Sequence, residues 1–186
     1  MQVFENMIFE RSDFESIKKA EYFNCQFKDI DFSSFNFLGF KFIDCELDAC
    51  NLSLCNPNNA FFQGVHFSNS KMLGIHFDYL NPFGLHMTFD NCQLNHAIFY
   101  KLNLKGNTFR NCQLLEVDFA ECDLNGVVFN NCDLSGAVFY QSNLEGVDFR
   151  TALNFTINPD ENRMKNSKFS LEGLPGLLTK FGIQVS

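Results

Sequence analysis

The strongest pattern of apolar and polar positions runs from residue 87 to residue 151, where an apolar side chain recurs at every fifth position. The residue two places before each of these central positions is usually small or aliphatic, and is often Cys. The central residues alternate without a break, as Phe89, Leu94, Phe99, Leu104 and so on to Leu144 and Phe149. A fixed short period of this kind indicates a repeat architecture.

A period of five excludes the ordinary secondary structures. An α-helix turns about 100° per residue, so five residues advance it by roughly 500° and the apolar residues form no stripe. In a straight strand, residues five apart point to opposite faces. The pattern fits a chain that turns a corner once per pentad, so that each central residue points inward. Stacked coils of this kind pair their backbones at a spacing of about 4.8 Å.

The alternation of Phe and Leu sets the number of sides. Three sides would mix the two residues in every vertical column, whereas four sides give two opposite columns of Phe and two of Leu. Cys92, Cys112 and Cys132 lie twenty residues apart, as do Cys25 and Cys45. The sequence therefore predicts a four-sided coil of twenty residues.

Two stretches break the frame. Three residues are extra near 15–19, and two are extra within 78–86. The second stretch is the best candidate for a protruding loop, either tucked back onto the coil or available to a partner. Its candidate contact residues are Asp78, Tyr79, Leu80, Phe83 and Leu85.

The motif itself resembles a known family. The pentads CDLNG (122–126), CDLSG (132–136) and SNLEG (142–146) match the pentapeptide-repeat pattern of a small residue, Asp or Asn, Leu or Phe, and two variable residues. The resemblance implies an all-β fold, a right-handed quadrilateral β-helix. We expect this β-helix to occupy residues 1–152, with residues 153–186 forming a C-terminal cap.

The predicted cap contains a turn, a short helix and a strand. The helix is expected to begin near Pro175 and to end at Gly182, and residues 183–185 alternate like a final strand. The cap contains more apolar residues than are needed to cover the end of one small coil. We therefore expect a homodimer through this segment. These residues are Leu174, Leu177, Leu178, Phe181, Ile183 and Val185.

Composition narrows the function classes. The net charge of −8 argues against direct nucleic-acid binding. All eight cysteines fall at inward positions, where they serve as small hydrophobes, and no CxxC pair supports a zinc site. His66 and His76 are expected on opposite walls, too far apart to share a metal. No nucleophile–base set stands out, so we expect no catalytic residue, no cofactor and no small-molecule substrate.

The expected location is the cytoplasm. The N-terminus lacks a basic region followed by an apolar run, so no signal peptide is visible. No apolar run is long enough to span a membrane, and no membrane partner is expected.

One charged stretch stands out. Between residues 111 and 149 there is no Lys, Arg or His, but there are seven acids: Glu116, Asp118, Glu121, Asp123, Asp133, Glu145 and Asp148. They form either an ordinary solvated surface or a rod that presents carboxylates as duplex DNA presents phosphates. If the rod presents its carboxylates in this way, we expect it to attract proteins with basic DNA-binding surfaces.

Within the pentapeptide-repeat family, the chain is most similar to the Qnr-type quinolone-resistance proteins and the microcin-immunity proteins. The similarity rests on Leu177-Leu178, Phe181-Gly182-Ile183 and Val185, and on the stretch 157–163. It implies a non-catalytic, dimeric DNA mimic that binds a type II topoisomerase, DNA gyrase or topoisomerase IV, and protects it from quinolones or toxins. Qnr-type proteins often carry two long loops, and the irregular stretches here are short. The alternative is a structural interaction scaffold whose unrelated partner contacts the 78–86 segment.

Overall fold

The computed structural model describes residues 1–183, and over this range the chain forms a parallel β-solenoid with one short helix near its C-terminal end. Its strands are three or four residues long and all pair in parallel. They are β1 (Val3–Glu5), β2 (Ile8–Glu10), β3 (Glu21–Phe23), β4 (Gln26–Lys28), β5 (Lys41–Ile43), β6 (Glu46–Asp48), β7 (Phe61–Gln63), β8 (Val65–Ser68), β9 (Met87–Asp90), β10 (Thr108–Arg110) and β11 (Val128–Asn130). The all-β solenoid predicted from the five-residue period is confirmed.

The corners explain why the period is five. A residue with left-handed backbone recurs once per pentad, for example at Asn91, His96, Lys101 and Gly106, with φ of 53°, 61°, 61° and 77°. The next N–H then donates back to the carbonyl of the preceding central residue, as from Ala97 to Leu94 at 2.9 Å. Each corner therefore contains a tight turn, which redirects the chain onto the next side of the coil.

Four walls result, named here by the ladders that build them. Wall A contains β1, β3, β5 and β7, and further along the rod it continues through the bridged residues Asn103, Asp123, Asn143 and Arg163. Wall B is the seven-stranded sheet β2-β4-β6-β8-β9-β10-β11, extended by bridges to Asp148 and Lys168. Wall C follows the bridges from Asp31 to Leu153, and wall D those from Asn36 to Asn56 and from His76 to Val138.

The core consists of the inward central residues in vertical columns. On wall B the rings of Phe67, Phe89, Phe109, Phe129, Phe149 and Phe169 stack with centroids 4.9 to 5.4 Å apart. On the opposite wall D, Phe77, Phe99, Phe119 and Phe139 stack at 4.5 to 5.4 Å. The columns between them hold Leu, as at Leu94, Leu114 and Leu134 on wall C. Each buried Phe contributes about 2–3 kcal/mol from burial, and each stacked pair adds about 1 kcal/mol.

The two irregular stretches behave differently. Across the first, Phe4 pairs with Tyr22 and Phe9 with Phe27, so this coil has 18 residues rather than twenty. The chain there forms a 3₁₀ turn, Arg11–Ser16, and Ile17 is buried. The irregularity predicted near 15–19 therefore shortens a coil, and the expectation of three extra residues was wrong. Across the second, Val65 pairs with Met87, 22 residues apart, as the expected two extra residues require.

The C-terminal segment covers the end of the coil. Phe169 stacks on Phe149 at 5.2 Å, and Leu177 packs against the core from helix α1 (Pro175–Leu178). A 3₁₀ turn, Thr179–Phe181, follows and ends at Gly182 in the left-handed conformation. The short cap helix predicted near Pro175 is therefore present, whereas the strand predicted at 183–185 falls mainly outside the described residues. Within residues 1–183, no helix is long and apolar enough to cross a membrane.

Candidate partner-binding surface

The seven acids of 111–149, called the acidic belt below, are distributed over all four walls. Glu116 and Glu121 occupy the two corners of wall D, and Asp118 lies on that wall between them. Asp123 and Glu145 belong to wall A, Asp133 to wall C and Asp148 to wall B. The carboxylates therefore follow the chain around the rod and form no single acidic face.

Most of the belt is paired with basic side chains, four from a neighbouring coil and one from the same coil. Within residues 1–183 five acids have such a partner: Glu116 with His96 (3.4 Å), Glu121 with Lys101 (3.4 Å), Asp123 with Lys105 (2.9 Å), Glu145 with Arg163 (2.9 Å) and Asp148 with Arg150 (2.7 Å). These bases lie outside 111–149 in sequence but one coil away, or around the same corner, in space. The seven carboxylates and their four Lys or Arg partners leave a net charge of −3.

Several belt acids also have a structural task in the repeat. The Asp133 carboxylate accepts hydrogen bonds from the Ser135 hydroxyl (2.6 Å) and the Ser135 N–H (3.1 Å), and these lower its pKa. Asp118 accepts the N–H of Ala120 at 2.8 Å in the same turn. The bidentate Arg150 guanidinium lowers the pKa of Asp148. At Asp123, burial opposes ionisation, but hydrogen bonds from Lys105 and the Asn125 N–H leave its pKa lowered. With lowered pKa values, Asp123, Asp133 and Asp148 stay charged at neutral pH.

The 78–86 segment divides into a packed part and a projecting part. A 3₁₀ turn, Phe77–Tyr79, opens it, Leu80 is buried, and Leu85 packs against the core. Phe83 is 78% exposed and its ring lies 6.3 Å from that of Phe61. Asp78 lies 3.3 Å from His76, which stacks on the exposed Tyr79 at 4.7 Å. Two of the five candidate loop residues, Leu80 and Leu85, are thus held by the coil.

The predicted dimer residues of the cap are divided between exposed and half-buried positions. Leu174, Phe181 and Ile183 are exposed, whereas Leu177 and Leu178 are half-buried. Leu171, which sequence reasoning did not select, is more exposed than any of them. Val185 lies outside the described residues. The cap therefore combines a core-facing side with an apolar outer side.

The side chains that sequence reasoning missed are the tyrosines of wall D. Tyr79, Tyr100 and Tyr140 are all exposed on this wall, and the Tyr100 hydroxyl donates to Glu121 at 2.8 Å. The signal was present, since Tyr100 and Tyr140 are forty residues apart and so share a column when the sequence is wrapped at twenty. Within residues 1–183 no group of three or more His, Cys, Asp or Glu side chains is placed to hold a metal ion.

Comparison with known proteins agrees with the repeat. A family model described as "pentapeptide repeat region" matches residues 85–158 and 104–173. No curated protein sequence matches the chain.

Solved structures with the same kind of repeat are similar along most of their length. Full-length QnrB1, described as a plasmid-mediated fluoroquinolone resistance protein, is 17% identical, with 97% of this chain and 100% of that one covered and a TM-score of 0.48. HetL, described as involved in heterocyst differentiation regulation, from the cyanobacterium Nostoc sp. strain PCC 7120, is 12% identical. Its coverage is 92% of this chain and 85% of that one, with a TM-score of 0.46.

Proposed function

We propose that this chain, a pentapeptide-repeat protein, is a non-catalytic DNA mimic that binds a type II topoisomerase, DNA gyrase or topoisomerase IV, and protects it from quinolones or toxins. The observation that carries the proposal is the concentration of charge. Of the net charge of −8, residues 111–149 contribute −7, and they wrap around about two coils of a stacked, hydrogen-bonded rod. A basic surface that closes around duplex DNA would meet carboxylates on every side of this rod.

The fixed positions of the carboxylates also support the proposal that the rod mimics DNA. Turn hydrogen bonds hold Asp118 and Asp133, and ion pairs hold Glu121, Asp123 and Asp148, so these groups are ordered before a partner arrives. Ordering charges in advance removes an entropic cost of association. The ion pairs with Lys101 and Lys105 are exposed and individually weak, so a partner's basic side chains can compete for the same carboxylates.

The experiment is a supercoiling assay with purified gyrase, titrated with this protein in the presence and absence of ciprofloxacin. Supercoiling restored in the presence of the drug is the expected result, and inhibition without the drug would still support mimicry of DNA. Absence of any effect in either arm up to tens of micromolar protein would reject a topoisomerase as the target.

A charge variant tests the acidic belt within that assay. Glu116→Gln, Asp118→Asn, Glu121→Gln and Asp123→Asn together should weaken gyrase binding by about tenfold or more, because each exposed pair contributes about 0.5 kcal/mol. The matched control neutralises four acids outside the belt, Glu5, Glu15, Asp44 and Glu46. Binding of the parent should also weaken steeply with salt. Equal effects of the two variants would contradict the acidic-belt model.

We further propose that the cap forms a homodimer, so that the functional rod contains two copies. The exposed Leu174, Phe181 and Ile183 support this, since apolar side chains grouped at a rod end are commonly covered by another chain. Light scattering at micromolar concentration should give twice the chain mass of 21.4 kDa. Phe181→Glu should halve that mass, and a monomeric parent would refute the dimer.

The second candidate is an interaction scaffold that binds an unrelated protein through the 78–86 segment. The exposure of Phe83 favours it, because a large apolar side chain projecting from a rigid wall suits a partner pocket. Pull-down with the parent and with Phe83→Ser distinguishes the two functions. A partner captured by both proteins would not use this segment.

A further inference from the structure

The exposed tyrosines are confined to one wall of the rod. The protein has four tyrosines, and Tyr22 is buried in the core. The other three, Tyr79, Tyr100 and Tyr140, are 52%, 37% and 48% exposed, and all stand on wall D. Tyrosine is enriched at protein interfaces because its ring is apolar and rigid while its hydroxyl remains able to hydrogen-bond.

Two aliphatic side chains lie on the same wall as these rings. Ile98 and Val138 occupy the bridged ladder of wall D, and Val138 is 46% exposed. At the level between Tyr100 and Tyr140 the corresponding position is Ala120, whose small side chain adds no bulk. We call Tyr79, Ile98, Tyr100, Val138 and Tyr140 the tyrosine wall.

The middle level of this wall carries its charge. Asp118 bridges to Ile98 above it and to Val138 below it, so its carboxylate lies between the two apolar levels. Its Oδ1 accepts the Ala120 N–H, and no Lys or Arg within residues 1–183 lies within ion-pair distance of it. A carboxylate without a basic partner, on a wall that also presents exposed tyrosine rings, favours a cation with apolar surroundings.

The chain already makes such a contact once on the same wall. The Lys101 ammonium lies 4.8 Å from the centroid of the Tyr100 ring and 3.4 Å from Glu121. The Tyr100 hydroxyl donates to the same Glu121 at 2.8 Å. This set of tyrosine, cation and carboxylate lies on one side of wall D. Asp118 and Tyr140 lie on successive coils of the same wall, since Asp118 bridges to Val138. The Tyr140 ring is exposed, and its hydroxyl accepts a hydrogen bond from Gln141 at 3.2 Å.

We propose that the tyrosine wall is a docking surface for a protein segment that presents an arginine flanked by apolar residues. The guanidinium pairs with Asp118 and stacks on Tyr140, and the flanking apolar side chains cover Ile98 and Val138. Arginine suits the site better than lysine, because its planar group stacks on a ring and pairs with a carboxylate at the same time. The inference is independent of the topoisomerase proposal.

The test titrates the full chain, labelled with ¹³C on its tyrosine rings, with the peptide Ac-Leu-Arg-Leu-NH₂ and follows the four tyrosines by NMR. We expect saturable shifts at Tyr140 and Tyr100 and none at the buried Tyr22. Ac-Leu-Lys-Leu-NH₂ should bind more weakly, and Ac-Leu-Gln-Leu-NH₂ should cause no saturable shift. No saturation by the arginine peptide up to about 10 mM, or equal shifts with the glutamine peptide, would overturn the proposal.

Two substitutions with matched controls locate the site. Asp118→Asn keeps the turn acceptor for the Ala120 N–H and removes the charge, and it should weaken peptide binding about fivefold. Asp133→Asn makes the same change on wall C, where Asp133 accepts the Ser135 N–H, and it should have no effect. Tyr140→Ser should abolish the shift at Tyr100, whereas Phe23→Ser on wall A should not. Equal losses from a variant and its control would place the peptide elsewhere.

Discussion

At the residue scale, the corners show which side chains the repeat tolerates and why. Left-handed backbone costs a residue with a Cβ about 1–2 kcal/mol, and Asn and Gly occupy most corners of the coil for that reason. Glu116 and Glu121 adopt it as well, with φ of 54° and 56°. The sequence period places these corners correctly, and His96 and Lys101, each twenty residues earlier, lie against the two carboxylates in the structure.

A pair of glycines tests how closely successive corners approach each other. Gly64 and Gly106 both have left-handed backbone, but a Cβ on Gly64 would lie 2.2 Å from Oδ1 of Asp44, whereas a Cβ on Gly106 would meet nothing within 4 Å. Gly106→Ala should therefore cost about 1 kcal/mol, and Gly64→Ala about 2 kcal/mol or more. Urea unfolding of both variants gives the comparison. Equal losses would mean that the Asp44 side chain moves away freely.

At the element scale, the strands are too short to be recognised singly, and their stacking defines them. β10 contains three residues, yet Phe109 stacks on Phe89 at 4.9 Å and on Phe129 at 5.2 Å. The alternation of Phe and Leu was enough to predict four walls with opposite Phe columns. The shortened first coil was not predicted. Its last inward position is filled by the buried Ile17, which does not lie at the five-residue spacing.

Removal of one ring from a column tests this packing. Phe109→Ala should lower the free energy of unfolding by about 3–5 kcal/mol, since the ring is fully buried between two others. Phe83→Ala, in the projecting segment, should change it by less than about 0.5 kcal/mol. Chemical denaturation of both variants measures the difference. A small loss at Phe109 would indicate that neighbouring coils collapse into the space.

At the scale of the whole molecule, the buried titratable groups set an alkaline limit to stability. Burial raises the pKa of Cys45, Cys50, Cys55 and Cys122 to about 12, and it raises that of Tyr22 to about 12. Because these values exceed those of the unfolded chain, the stability they contribute is complete below about pH 9. It falls as the pH rises toward 12, by about 1.4 kcal/mol per pH unit for each titrating group.

Urea midpoints measured between pH 7 and pH 11 should therefore be level up to about pH 9 and fall steeply above it. Cys55→Ala should make the fall shallower, because it removes one of the titrating thiols. A midpoint that stays level to pH 11 would show that thiolates form inside the fold without penalty.

The same burial protects the thiols from reagents. All eight cysteines are free and buried, so none should react with a disulfide reagent in the native state at pH 8, and all eight should react after unfolding. The absorbance of the released thiolate counts them directly. Rapid reaction of a native thiol would mean that coils separate locally.

The candidate surface was less predictable than the fold, for a physical reason. In the linear sequence, a run of seven acids without a base indicates an unpaired acidic surface. In a solenoid, however, the spatial neighbours of a residue are about twenty residues away, so bases outside the run can pair with these acids. Lys105 thus reaches Asp123, and Arg163 reaches Glu145. The tyrosine wall was missed because its members are spread from Tyr79 to Tyr140. Wrapping the sequence at the coil length recovers both features.

The uniform offset between coils also bears on how such a chain can change in length. From β9 to β11, each ladder position repeats after twenty residues, as Thr88, Thr108 and Val128 do. Duplication or loss of about sixty nucleotides of coding sequence would therefore add or remove one coil and leave every column of inward side chains aligned. Gain or loss of about fifteen nucleotides would instead shift all later coils by one wall, so that Phe would stack on Leu. The fold should thus tolerate gene rearrangements that add or remove whole coils.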